Sequence, residues 1–494
     1  MFKKVLIANR GEIAVQAIRT CRDMGIQTVA LYSSTERDSL HVRLADECRP
    51  VLSEKRYADM DEVLQIARET GSDAIYPGYG FLAEEANFIQ RCTHEGIVFI
   101  GPPAEVVRRC KDKLGMMEMV DNAGHLTPRR SLEPATVEEI DKLAAMGAEV
   151  GYPLVVKACR GGRGRGSRVV DRPEKLPDIA AIAEREAERI FGDGHLFLER
   201  VISPSHYVVV EILADKQGNI VHLGEREGSV LLRNQKLIEE APAPCLSDEQ
   251  RRRLWDAAVD IARRVGYQGA GGFEFLVDGE GKFYFTEIKA RIQVEHAVSG
   301  MLSDVNIIKE QIRIAAGQPL AFRQDEIRLS GCAIQCRINA ENPWQNFMPS
   351  PGILTTFRLP GGQHVNVDTY GYVGCTIPPR YDSLLAALVV WAEDRPAAVS
   401  RLLRSLQDFK IIGVQTTLPM HLQMVTDPAF VTGDYDTNFM RRFRFEEPHL
   451  DDRTRQDFAV AVAVAYAGRT GAKEPAIPQR MLSGWHRSSR RLPS

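Results

Sequence analysis

The first hundred or so residues alternate short apolar runs with helical spacing, and that alternation restricts the fold more than any other feature. Residues 4–8 form an apolar strand, NRGE (9–12) a turn, and residues 13–24 carry apolar positions at helical spacing before a second strand at 28–32. The rhythm continues through strand-like runs at 74–76 and 98–100. Repeated strand, crossover helix and strand predict a doubly wound parallel sheet to about residue 112. Ligands of such sheets collect at the carboxyl ends of the strands, where NRGE and PGYGF (77–81) fall. NRGE alone is a weak signal, because a glycine after a strand usually only makes a turn.

At 494 residues the chain exceeds one ordinary core and should divide into about three subdomains. Its 44% hydrophobic and 26% charged residues are those of a globular protein. A net charge of −3 argues against a nucleic-acid partner. Nine cysteines are scattered without a CxxC pair, and Cys332 and Cys336 lack matching His or Cys partners, so reduced thiols in a cytoplasm are expected rather than a zinc site. No apolar run approaches the roughly 18 to 20 residues of a membrane span, and the start of the chain has no signal-peptide pattern. A soluble cytoplasmic protein without a membrane partner is the expectation.

Residues 129–203 read as a smaller unit, in which a strand at 154–157 runs into the segment Arg160, Gly161, Gly162, Arg163, Gly164, Arg165, Gly166. Glycine permits close backbone approach and positive φ, so successive amides can point at one anion and the segment reads as a lid over phosphates. From residue 197 to about 446 the pattern turns strand-rich and then mixed. The tail from 447 to 494 holds an alanine-rich run (458–468), a candidate helix for partner docking, and a basic, polar end (480–494) for which disorder is expected.

The most chemically loaded stretch runs from Glu287 to His296 and follows an apolar run at 283–285. If it stays extended, Glu287, Lys289, Arg291, Gln293 and Glu295 line one face while Ile288, Ile292 and Val294 line the other. Such a ladder suits an anionic or metal-bearing site. On this segment alone a solvated edge strand with self-neutralising charges is the simpler reading.

The wider pattern favours the site. RIQVEH (291–296), IANRGEIA (7–14), YPGYGFL (76–82), IGP (100–102), GYPLVVKA (151–158), QKLIEEAPAP (235–244), GGFEFL (271–276), CRINAENP (336–343) and PSPG (349–352) closely resemble the motifs of the biotin carboxylase family. The resemblance covers residues 1 to about 446. It implies an α/β fold of the biotin carboxylase type: an N-terminal doubly wound domain (1–112), an ATP-grasp domain (113–318) with its lid at about 129–203, a mixed α+β C-terminal lobe (319–446) and an extra tail (447–494).

The resemblance also implies the chemistry. ATP phosphorylates bicarbonate to carboxyphosphate, and the carbon dioxide released is captured at N1 of biotin. Lys113 and Lys157 match the family's ATP lysines, the segment Glu199 to Ile202 its adenine hinge, and Arg163, Gly164, Asn234 and Leu276 further nucleotide contacts. Glu274 and Glu287 match ligands of Mg²⁺ bridging the phosphates. Lys236 and Arg291, with Gln293 and the backbone of Val294, match the bicarbonate site, where a planar guanidinium offers paired donors. Glu295 matches the general base, Arg337 the stabiliser of the biotin enolate, and Tyr79 the lining of the biotin side. No Met-Lys-Met biotin-attachment motif occurs, so biotin is expected on a separate carrier protein or domain. A second copy in a homodimer, together with a carboxyltransferase, completes the expected partners.

The nucleotide half departs from the family pattern. Lys289 stands where the family has an asparagine metal ligand; a protonated lysine cannot ligate. One unit charge about 4 Å from Mg²⁺ costs up to roughly 8 kcal/mol at an effective dielectric of 20. Lys289 must therefore swing away, or replace one of two metal ions and contact phosphate itself, which leaves one Mg²⁺ rather than two. Asn234 and Tyr207 replace histidines and Leu231 a glutamine, each with the loss of a polar or protonatable contact. Arg160 and Arg163 replace glycines, Ser167 a methionine, Gln16 an arginine and Ala387 a lysine. These changes keep an alternative open: a non-catalytic or altered protein of this type that retains the fold but has lost or changed its ATP and Mg²⁺ chemistry.

Overall fold

A computed structural model describes residues 1–160, 167–233, 235–447 and 452–471. They fall into two compact units, Met1–Phe445 and Glu446–Ser494.

The first unit opens with the expected parallel sheet. Strands β1 (Lys4–Ile7), β2 (Gln27–Tyr32), β3 (Glu47–Pro50), β4 (Ala74–Tyr76) and β5 (Val98–Phe99) run in the order β3-β2-β1-β4-β5, every pair parallel. The helix Gly11–Asp23 buries Ile13, Ala14, Ala17, Ile18 and Cys21 against the sheet, the stripe that its apolar spacing predicts. Strand β3 had no sequence signal, because its ECRP is a polar edge strand. At the carboxyl ends of β1 and β4, the Asn9 amide donates to the carbonyls of Pro77 (2.6 Å) and Tyr79 (2.8 Å), fastening NRGE to PGYGF. Arg10 of NRGE forms a buried ion pair with Glu36 and lies 4.4 Å from the ring centre of Tyr381. That turn is thus built into the fold by its own contacts.

The segment expected as a lid holds a three-stranded antiparallel sheet, β6 (Leu154–Ala158), β7 (Arg168–Val170) and β8 (Leu196–Arg200), in the order β7-β6-β8. The helices Ile140–Val150 and Leu176–Phe191 cover it through Leu143, Val150, Leu176, Ala180 and Ala183. Arg163 and Gly164 lie outside the described residues, as does Asn234.

An eight-stranded antiparallel sheet carries the remaining motifs. Its strands β9 (Ser205–Ala214), β10 (Ile220–Leu232), β11 (Gln235–Ala241), β12 (Gly269–Asp278), β13 (Phe283–Lys289) and β14 (Cys332–Asn339) are ordered β13-β12-β9-β10-β11-β14. Leu384–Ala392 and Val365–Thr369 extend it beyond β14. One sheet therefore spans the segments expected as separate domains at 113–318 and 319–446, and β11 pairs with β14 across that division, setting Glu239 opposite Gln335 and Ile238 opposite Cys336. The apolar clusters on its two lobes are separate, one built on Val208, Val210, Phe273 and Phe285, the other on Ile334, Ile338, Leu388 and Val390.

The second unit holds the helix Asp452–Gly471, which contains the alanine-rich run, and Val460, Val462, Val464 and Tyr466 on it are exposed. The basic end at 480–494 lies outside the described residues. No helix among the described residues is long and apolar enough to cross a membrane.

Candidate active site

The ladder from Glu287 to Glu295 does not stay extended. Strand β13 ends at Lys289, the chain then turns, and Glu295 precedes the helix His296–Ser303. The polar residues converge because the backbone bends, which an alternating pattern cannot express. The edge-strand reading was right in topology, since β13 is a sheet edge, and wrong in environment. Glu274, Gln293, Glu295 and Lys236 are all buried, with Glu274 only 1% exposed.

Two glycines make the convergence possible. A Cβ on Gly272 would stand 2.2 Å from Gln293 Oε1, and one on Gly271 would stand 2.0 Å from the Tyr267 hydroxyl. Gln293 fills the space over Gly272, where its Nε2 donates to Glu274 Oε1 (3.0 Å) and its Oε1 accepts from Arg226 Nη2 (2.6 Å). Gly272→Ala is therefore expected to displace the Gln293 amide and lower turnover about 100-fold, while nucleotide affinity changes little. Parallel kinetics and nucleotide titration of the variant check this; undiminished turnover contradicts it.

Glu295 is the hub of a buried ionic network. Lys236 Nζ donates to its Oε1, and Arg337 Nη2 donates to its Oε2 at 2.7 Å. Arg337 Nη2 also donates to Glu239 Oε1 at 2.7 Å. Burial pushes Glu295 up, but Lys236, Arg337 and Arg226 outweigh it and hold the carboxyl well below the usual carboxylate range. Burial raises Glu239, so the two carboxylates that Arg337 joins are held unequally. Val294 lies in the turn beside Glu295. Arg291 is held from the N-terminal lobe: its Nε donates to Glu84 Oε2 (3.1 Å), while its Nη1 caps the carbonyl of Ile292 (2.9 Å).

Glu274 and Glu287 are direct cross-strand partners on β12 and β13. Lys289 does not swing away. Its Nζ lies 2.8 Å from Glu287 Oε1 and 3.9 Å from Glu274 Oε2. Burial works against the ammonium, but Glu287, Glu274 and Glu84 overcome it and hold Lys289 charged, above its usual range. The two carboxylates respond differently. Burial raises Glu274, whereas Glu287, closer to Lys289 and also facing Lys113 and Lys157, is lowered despite its burial.

On the lid side Lys157 donates to Glu199 Oε1, and Glu199 Oε2 is buried with no partner among the described residues. An unclaimed buried acceptor fits an exocyclic amino group such as that of adenine. Ile202 follows β8 and is half-buried, as is Leu276 on β12. Lys113 is half-buried, with burial pulling its ammonium down and Glu287 opposing that pull.

Other positions also differ from expectation. Tyr207 keeps a polar role, since its hydroxyl donates to Glu274 Oε2 and its ring centre lies 5.2 Å from Lys236 Nζ. Tyr79, expected on the biotin side, packs against the apolar cluster of the parallel sheet and accepts the Asn9 amide at its carbonyl. Gln16, from the helix after NRGE, lies within 3.0 Å of His296 Nε2 through its Oε1. Nothing in the structure explains the alanine at 387.

Sequence reasoning missed the supporting shell of Glu84, Arg226, Glu211 and Glu239. Arg226 Nη1 donates to Glu211 Oε2 (2.7 Å) and Ser299 Oγ (2.6 Å), so one guanidinium fixes Gln293 and the first turn of the helix after Glu295. A signal existed. Glu211 interrupts VVVEILA and Arg226 sits inside HLGEREGSV, charges within strands whose neighbours are otherwise buried.

Comparison with known proteins gives the family. Residues 1–107 match the family "Biotin carboxylase, N-terminal domain", residues 112–323 "Carbamoyl-phosphate synthase L chain, ATP binding domain", and residues 335–442 "Biotin carboxylase C-terminal domain". Biotin carboxylase 1 of Bacillus subtilis is 43% identical over 447 residues, which cover 90% of this chain and 99% of that protein. This chain belongs to the biotin carboxylase family. Another member, the 2-oxoglutarate carboxylase small subunit of Hydrogenobacter thermophilus, is 40% identical over 95% of this chain and 100% of its own length. The crystal structure of the biotin carboxylase domain dimer from that organism, in complex with MgADP, ADP and bicarbonate, superimposes with a TM-score of 0.87 at 41% identity. It covers 90% of this chain and all of that one. The α/β fold expected from the motifs is thus the fold of the family, with the ATP-binding domain in the middle of the chain.

Proposed function

We propose that this chain is the biotin carboxylase subunit of a multi-subunit acyl-CoA or 2-oxo-acid carboxylase. It uses ATP and bicarbonate to carboxylate biotin presented on a separate carrier, and a carboxyltransferase subunit then takes the carboxyl group. The observation that carries the reading is Glu295, a buried carboxylate kept ionised between Lys236 and Arg337. Two relatives whose names make them parts of larger carboxylases, one of a pyruvate carboxylase and one of a 2-oxoglutarate carboxylase, support the subunit role. The dimeric crystal structure of the latter supports a homodimer. Nine free thiols support a reducing, cytoplasmic setting.

The residues divide the work as follows. Arg291 and Lys236 receive bicarbonate, with Gln293 and the amide of Val294 completing the pocket. In the free enzyme Lys236 and Arg337 hold the Glu295 carboxyl below its usual range despite its burial. As Lys236 turns to the incoming anion, Glu295 loses its strongest partner and gains basicity, and it then removes the bicarbonate proton. The bicarbonate oxygen attacks the γ-phosphorus, the bond to the leaving oxygen breaks, and ADP departs. Carboxyphosphate then cleaves at its carbon–oxygen bond to carbon dioxide and phosphate, which accepts the N1 proton of biotin as N1 attacks carbon dioxide. Arg337 stabilises the charge that develops on the ureido oxygen. Lys113, Lys157 and Lys289 face the phosphates, and Glu199 with Ile202 and Leu276 takes the base. When bound, Mg²⁺ supplies electrostatic stabilisation of the transferring phosphoryl group, held through Glu287.

The test is ADP release by the purified chain, first with free biotin and then with a biotinylated carrier protein. Release that requires both bicarbonate and biotin is expected. A folded, nucleotide-binding chain that releases no ADP with either acceptor contradicts the assignment and favours the non-catalytic alternative.

A further inference from the structure

We infer that Lys289 is a built-in cation occupying the space between Glu274 and Glu287, so that this carboxylate pair takes one divalent ion, on the outer side of Glu287, where a pair free of the lysine would take two. The inference rests on the nucleotide-site reading above and deepens it. Positions 287 and 289 share a face of β13, so the backbone itself delivers the Lys289 stem alongside Glu287. Directly opposite Lys289 on β12 is Gly272, whose missing side chain gives its place to Gln293.

Glu274 is already committed to protein donors. Its Oε1 accepts from Gln293 at 3.0 Å and faces Lys236 at 4.0 Å; its Oε2 accepts from Tyr207 and faces Lys289 at 3.9 Å. Mg²⁺ requires oxygens at about 2.1 Å in near-octahedral array. An ion bridging Glu274 Oε2 and Glu287 Oε1 would have to stand where the Lys289 ammonium stands, 2.8 Å from Glu287 Oε1 and 3.9 Å from Glu274 Oε2. The second oxygen of Glu287 has no hydrogen-bond partner among the described residues, and the side chain is 28% exposed. That oxygen is the opening for an ion arriving with the nucleotide. One of the two cations that would otherwise come from solution is therefore permanent here, with one charge in place of two, and the site holds nucleotide at lower free Mg²⁺.

Counting bound Mn²⁺ by electron paramagnetic resonance, on the full chain with and without ADP, tests this. The wild type is expected to hold one Mn²⁺ per chain with ADP, and Lys289→Asn two. Without nucleotide, Lys289→Asn should bind Mn²⁺ at least about tenfold more tightly than the wild type, because two facing carboxylates have lost their counter-charge. Lys289→Met, which keeps the stem, should show the same gain in affinity without nucleotide. Two ions in the wild-type complex overturn the inference, as does Mn²⁺ affinity unchanged in both variants. The outcome is separable from the reaction itself. One ion per chain with no bicarbonate-dependent ADP release sinks the carboxylase assignment and leaves this inference standing, and two ions with normal release does the reverse.

Discussion

Replacing Glu295 with glutamine is expected to lower bicarbonate-dependent carboxylation of biotin by about 10²- to 10⁴-fold, the range lost with a positioned general base. Nucleotide affinity should stay within about twofold, because among the described residues Glu295 bonds to Lys236 and Arg337 and to none at 129–203. The amide retains the shape and one acceptor but cannot take a proton, and it no longer balances the two cations. Bicarbonate should consequently bind no more weakly, since Lys236 is released to it. Kinetics in bicarbonate, with separate kcat and KM, read both effects. Undiminished carboxylation would remove Glu295 from the base role.

The second large effect is on stability. Arg226 and Glu211 form an ion pair in which both side chains are essentially inaccessible, at 1% and 0%. Arg226→Met leaves the Glu211 carboxylate buried without its partner, and the expected loss is about 3–5 kcal/mol, read as a fall in the urea midpoint. Adding Glu211→Leu should restore most of that loss, because an apolar pair of similar volume removes the stranded charge. Turnover should not return with it. Arg226 also fixes the Gln293 amide and Ser299, contacts that a methionine cannot make. A double variant that regains both stability and turnover would show that the pair serves the fold alone.

These two residues illustrate what the sequence made legible and what it did not. The parallel sheet was readable because each strand and helix carries its own apolar period, and β4 fell on the predicted residues, Ala74–Tyr76. Strand β3 was not, because a polar edge strand has no apolar face to repeat. Glu274 and Glu287 were readable as a pair through their motifs, and the register of β12 and β13 sets them opposite one another. Lys289 posed a question that sequence alone could not answer. Whether its ammonium leaves or occupies the site depends on the register that sets Glu274 opposite Glu287, a long-range pairing without local signature. Glu84, 207 residues from Arg291, was hidden for the same reason. The turn after Lys289 was missed because alternation was extended past the end of the strand, and that turn is what brings Glu295 to Lys236 and Arg337.

We expect this pocket to activate bicarbonate by phosphorylation. The most direct test follows oxygen. In bicarbonate labelled with ¹⁸O and incubated with the chain, ATP, Mg²⁺ and biotin, attack by a bicarbonate oxygen followed by carbon–oxygen cleavage must deliver a single labelled oxygen to each inorganic phosphate. Mass spectrometry of the phosphate should find that oxygen in step with ADP release. Phosphate whose new oxygen comes from water would contradict the account, because ATP would then be hydrolysed without ever meeting bicarbonate.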